Sequence, residues 1–176
     1  MEDLLLKEPV QRVVKKLSEF DNSIKVTVLD SSARTASDAA QSLNTEVGSI
    51  VKSLLLRSKN SFLLCLVAGD KRCSLNKVKK ILNEKDLSMA SADQVKEITG
   101  FTIGGVSPIG HITRLNVYID GSLERFANVF AAGGHPNVIF KIQFKKLIEI
   151  TKGTIKEISE WKILDHLTIF YYALYL

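Results

Sequence analysis

Three places in the chain hold residues that could do chemistry: a lysine on an apolar strand, a loop with paired glycines, and a glycine turn carrying a histidine. Lys52 stands in Ile50-Val51-Lys52-Ser53-Leu54, where strand alternation puts it on one face with Ile50, Leu54 and Leu56. A cation among aliphatics is costly to bury unless an anion meets it. The position therefore suits a phosphate or a developing oxyanion, though a lysine snorkelling to water would show the same pattern. In Gly104-Gly105-Val106-Ser107-Pro108 the adjacent glycines allow a ligand to approach the main chain closely, or simply form a tight structural loop. Gly133-Gly134-His135-Pro136-Asn137 sets His135 at a hairpin tip, where it can donate a hydrogen bond, act as a base or simply occupy a turn.

Other chemistries find no support. The glycine loop lacks the GK[ST] of a phosphate-binding loop and the GxGxxG of a dinucleotide site. His111, His135 and His166 are scattered without acidic partners at ligand spacing, so no metal is expected, and no cofactor either. Cys65 and Cys73 have no CxxC spacing, and Cys65 sits in an apolar run where a thiol packs as a small hydrophobe. No nucleophile elbow or HExxH is present.

These residues need elements to position them. Val10, Val13, Val14 and Leu17 follow helical spacing behind Pro9. Residues 24–29 alternate as a half-buried strand. Thr35 and Asp38 form a variant capping box for an alanine-lined helix through Ala36, Ala39, Ala40 and Leu43, ended by Asn44. Strands are expected over 49–57 and 62–67. Ser74 caps a third helix, and Ser91 with Gln94 boxes a fourth that stops at Gly100. Residues 101–114 read as an irregular loop, 115–119 as a strand, 128–132 and 138–142 as a hairpin, and a last helix begins near Phe144. The later connections are too short for parallel crossovers, which points to a mixed, curled α+β sheet flanked by helices in a single domain.

The bulk properties agree. With 176 residues, 45% hydrophobic and 24% charged, the chain is a globular domain and not a disordered one. Its net charge of +5 favours an anionic partner, and Lys71, Arg72, Lys77, Lys79, Lys80 and Lys85 gather around the third helix, as a phosphate contact or a solvated face. No segment has the length and apolarity of a membrane helix, and the acidic start is unlike a secretory signal, so a cytoplasmic protein is expected. Residues 1–160 form the domain; 161–176 are an aromatic, apolar tail that either docks or stands apart.

In order and interval, four segments resemble the YbaK/EbsC/ProX superfamily of aminoacyl-tRNA editing domains. They are Thr35-Ala36-Ser37-Asp38-Ala39-Ala40, Ile50-Val51-Lys52-Ser53-Leu54, Gly104-Gly105-Val106-Ser107-Pro108-Ile109-Gly110 and Ala131-Ala132-Gly133-Gly134-His135-Pro136. The resemblance implies a pocket over a mixed, barrel-like sheet that receives the 3′ end of an aminoacyl-tRNA. It also implies an ester hydrolase that deacylates mischarged tRNA in trans, above all tRNA-Pro bearing a small non-cognate amino acid, with prolyl-tRNA synthetase as an associated partner. Lys52 matches the family's characteristic lysine and, with His135, is the expected catalytic pair; Gly104, Gly105, Ser107, Gly133 and Gly134 are the expected pocket residues. The alternative is a tRNA- or protein-binding module that keeps the fold without the activity. Where YbaK-like members carry a basic, serine-containing turn, this chain has 131–137, and Gln143-Phe144-Lys145-Lys146 replaces a Ser-Pro-acidic segment. Those departures leave a small aliphatic or hydroxylated amino acid as open as cysteine.

Overall fold

The computed structural model describes residues 3–29, 35–59 and 61–161. Its first helix, α1 (Glu8–Phe20), has Pro9 in its first turn and buries Val10, Val13 and Leu17. A short strand β1 (Val26–Val28) leads to α2 (Ala36–Leu43), whose capping box is made as expected: Thr35 Oγ1 accepts from the Asp38 N–H, and the Asp38 carboxylate accepts from the Thr35 N–H. Then come β2 (Ile50–Ser58), β3 (Phe62–Ala68), β4 (Lys71–Cys73), α3 (Leu75–Leu82), β5 (Leu87–Met89) and α4 (Ala92–Thr99). After the glycine loop follow β6 (Asn116–Asp120), β7 (Asn128–His135), β8 (Val138–Gln143), α5 (Phe144–Thr151), β9 (Thr154–Lys156) and β10 (Ser159–Trp161).

Eight strands form one sheet in the order β1-β8-β7-β2-β3-β6-β9, with β5 added to β2, while β4 and β10 make a separate ribbon. The sheet is mixed: β2–β7, β3–β6 and β6–β9 are parallel and the remaining pairs antiparallel. The expected α+β class is found, but the barrel-like closure is not. The outermost strands β1 and β9 are three residues each and do not pair with each other, so the sheet stays open.

Side chains alternate between two helical layers. Val51, Leu55, Leu64, Leu66, Val117 and Ile119 meet α1, α4 and α5 in the main core. On the other face Leu56, Leu63, Cys65 and Val67 pack on Val78 of α3, with Cys73 against them. Ile50 and Ile139 pack there on Ala39 and Ala40 of α2. The alanines let α2 lie close to the sheet, as the sequence pattern suggested.

Local readings need adjustment in three places. The hairpin turn is only Pro136-Asn137, because β7 runs through Gly133, Gly134 and His135 with a bulge between Ala132 and His135. Ser74 occupies the N-cap position of α3 without a side-chain bond to the helix. The three-residue strands β4, β5, β9 and β10 were not expected. His166 and residues 162–176 of the tail lie outside the described residues. Among the described residues no helix is long and apolar enough to cross a membrane.

Candidate functional site

One edge of β2 is laddered to β3 from Val51 to Arg57. The other edge is shared by two partners that do not meet: β7 at Ile50 and Val51, and β5 from Leu56 to Ser58. Between them β2 lacks a strand neighbour, and the Leu55 carbonyl there accepts from the Ala90 N–H at 2.9 Å. A cavity of about 410 Å³ opens in this gap. Because the sheet is interrupted there, the cavity is lined from both faces. Thr35, Ala36 and Ala39 of the α2 region contribute on one side; Val95, Ile103, Gly104 and Val106 contribute on the other. Ala90, Ala131 and Ala132 line it beside Met89, Phe130 and Ile139, and their small side chains leave room for the volume.

Lys52 lies at this gap, on the face between the α2 and α3 clusters. Its Nζ donates to the main-chain carbonyl of Lys71, at the start of β4, so the head group is held at the rim and not in the apolar interior. Gly104 lines the same cavity from the opposite face of the sheet. Lys52 and the glycine loop therefore converge on one space.

The two glycine motifs also touch each other. A Cβ on Gly105 would lie 2.9 Å from the Cα of His135, so this glycine admits another strand's backbone. A Cβ on Gly134, whose φ is +99°, would sit 2.6 Å from the Pro9 carbonyl oxygen; one on Gly133 would meet Val138 at 2.8 Å. Of the expected pocket residues, Gly105, Ser107, Gly133, Gly134 and His135 stand behind the wall and outside the lining. Pro136 is part of it. The His135 Nδ1 accepts from the Asn137 N–H at 3.1 Å.

Ser107 is fully buried; its carbonyl bonds His111 Nε2 at 2.8 Å, and burial holds the His111 imidazole below its ordinary pKa. Arg12 of α1 donates to the Gly110 carbonyl at 2.9 Å and lies over the Phe101 ring, fixing the loop from outside.

Sequence reasoning passed over Ser53, which also lines the cavity. Its Oγ is buried without a hydrogen-bond partner. A hydroxyl left in that state costs about 1–3 kcal/mol. Ser53→Ala is therefore expected to leave stability unchanged or raise the thermal midpoint by about 2–4 °C. A clear drop in midpoint would show that the hydroxyl is satisfied in solution. The wall supplied by Met89 and Ala90 was missed as well, since β5 is too short to announce itself.

An open mixed sheet between two helical layers, with a small-residue cavity through a gap in it, is the architecture on which the comparisons bear. The aminoacyl-tRNA editing domain family matches residues 30–150. Over 148 residues the chain is 32% identical to YwhH, an uncharacterized protein of Bacillus subtilis (strain 168), covering 82% of this chain and 94% of that one. It is 33% identical over 101 residues to a proline–tRNA ligase of Thermosipho africanus (strain TCF52B), covering 57% of this chain and 18% of the ligase. A solved structure described as a candidate trans-editing enzyme for prolyl-tRNA synthetase superposes with a TM-score of 0.83 at 38% identity, covering 88% of this chain and 99% of that one. The hypothetical protein APE2540 superposes with a TM-score of 0.75 at 25% identity, covering 82% and 99%. The chain belongs to the aminoacyl-tRNA editing domain family. Within it, the similarity runs both to free-standing proteins of about its own length and to a short part of proline–tRNA ligases.

Proposed function

We propose that this protein is a free-standing aminoacyl-tRNA deacylase that hydrolyses the ester of mischarged tRNA, with tRNA-Pro carrying a small non-cognate amino acid as its substrate. The observation that carries this reading is the cavity: a small-residue, largely apolar space with a lysine ammonium at its rim and glycine main chain in its wall. Its volume lies in the range of small-molecule sites. The family match and the likeness to a candidate trans-editing enzyme support the same reading.

An aminoacyl ester is already activated, so positioned water and stabilisation of the carbonyl oxyanion suffice without a protein nucleophile. In this proposal Lys52 leaves the Lys71 carbonyl to meet that negative charge, and main-chain N–H groups near Gly104 assist it. Because the His135 Nδ1 accepts a hydrogen bond, its neutral ring carries the proton on Nε2. His135, which stands behind the wall, then acts by positioning Pro136 and the hairpin turn, and not as the base at Nε2. Gly105, Ser107, Gly133 and Gly134 act by shaping the wall. Prolyl-tRNA synthetase is the proposed partner, and the cytoplasm, where charged tRNA is used, the proposed compartment.

The test is deacylation by the purified chain of a panel of tRNAs charged with alanine, serine, threonine, cysteine and proline. Release of a non-cognate residue from tRNA-Pro, with prolyl-tRNA-Pro left intact, is expected. Tight binding of the panel without hydrolysis would establish the non-catalytic binding module instead.

A further inference from the structure

Trp161 lies beyond the segment that matches the editing family and is the only tryptophan in the chain. It ends β10 opposite Lys71 of β4 and is 62% exposed. A single exposed apolar side chain is ordinary; what sets this one apart is its rigid support and the cations that gather on it. The support here is rigid: the Ser74 N–H donates to the Ile158 carbonyl at 2.8 Å, Lys77 Nζ to the Ser159 carbonyl at 2.7 Å, and Ser159 Oγ to the buried Asp120 carboxylate at 2.8 Å. Cations gather on the ring. Lys71 Nζ is 3.2 Å from its centroid and the Arg125 guanidinium 5.6 Å, with Arg125 oriented by Asp70. Arg72 is exposed on the same ribbon. The Lys71 carbonyl that accepts Lys52 Nζ joins this surface directly to the cavity rim.

We propose that Trp161, with Lys71 and Arg125, is a stacking platform for the unpaired 3′ end of the RNA whose terminal ester enters the cavity; this rests on the editing reading above. Lys71 lies over the ring itself, so a base stacks there by displacing the ammonium onto its phosphate; an aromatic ring with cations on it suits single-stranded nucleic acid, because every base offers a π-face and every linkage a phosphate. Stacking of one base on such a ring changes affinity by about five- to a hundredfold. The flanking cations make the contact salt-dependent.

With one tryptophan, intrinsic fluorescence reports this site alone. The full chain is titrated with an uncharged RNA hairpin ending in single-stranded CCA, and with the same hairpin made blunt. Quenching by the first and not the second is expected. Trp161→Ala should weaken binding by about five- to a hundredfold and raise KM for deacylation with kcat unchanged, while Trp161→Phe keeps part of the affinity. Unaltered fluorescence at RNA concentrations that saturate filter binding overturns the platform, as does an unchanged KM in Trp161→Ala. Emission that is already blue-shifted without RNA and insensitive to it also overturns the proposal, with the ring then covered by this chain's own tail or a second copy. Quenching without deacylation of any charged tRNA leaves the platform standing and removes the editing reading; deacylation with Trp161→Ala indistinguishable from wild type does the reverse.

Discussion

Lys52→Ala is expected to lower the rate of deacylation by on the order of a hundredfold or more, the usual loss when one stabilising contact to a developing oxyanion is removed. The lysine sits at the one gap in the β2 edge, where its charge reaches the cavity without crossing the apolar layer. Stability should change far less. The residue is half-buried, and the bond from its ammonium to the Lys71 carbonyl is worth about 1.5–3 kcal/mol at most, less where water reaches it. Lys52→Met separates the two contributions, because it keeps an unbranched stem between the α2 and α3 clusters while removing the charge. Both variants should lose turnover together, with thermal midpoints near wild type and Met the more stable. Wild-type turnover in Lys52→Met would remove the lysine from the chemistry. A collapse in midpoint of both would mean that the charge is structural, holding the start of β4 through Lys71.

What could be read from the sequence followed from rules of short range. Thr35 with Asp38 and Ser91 with Gln94 announce helix starts because each box is closed within four residues, and both form as expected. Asn44 and Gly100 stop their helices in the left-handed conformation, another local preference. Alternation placed Lys52 on the face it occupies. The cavity itself was hidden, because it is created by where β7 and β5 stop along β2, and a three-residue strand such as Leu87–Met89 has no periodicity to detect. The same shortness concealed β4 and β10, and with them the ribbon that presents Trp161. Gly133 and Gly134 suggested a wide turn, whereas the pairing of β7 with β8 carries the strand through them and absorbs both in a bulge. Ser74 shows the opposite error: a residue of capping type at a capping position, whose hydroxyl makes no bond to the helix.

Gly105→Ala is expected to lose far more turnover than Gly104→Ala. Its neighbour gives the comparison. Gly104 has φ +88°, and a Cβ there would meet only Pro136, at 3.5 Å, so Gly104→Ala suffers chiefly from left-handed backbone strain of about 1–2 kcal/mol. Gly105 carries no such strain, but its Cβ would lie 2.9, 3.0 and 3.1 Å from three backbone atoms of His135. Backbone in a paired strand cannot swing aside as a side-chain tip can, so the loop and the β7–β8 hairpin must part. Overpacking of this kind costs about 1–3 kcal/mol, similar to the first variant by melting temperature. Turnover should distinguish them. Gly104 and Val106 belong to the wall on the loop side and Pro136 on the hairpin side, so separating the two segments moves both halves of that wall. A displacement of about 1 Å at a reacting geometry can cost on the order of a hundredfold. Gly105→Ala should therefore lose deacylation broadly across the charged-tRNA panel, by on the order of a hundredfold, whereas Gly104→Ala should lose less at a comparable midpoint. Equal activity losses at equal midpoints would indicate that the wall tolerates the shift. Gly105→Ala with wild-type stability and turnover would mean that the close approach of Gly105 to His135 does not hold the loop and hairpin together.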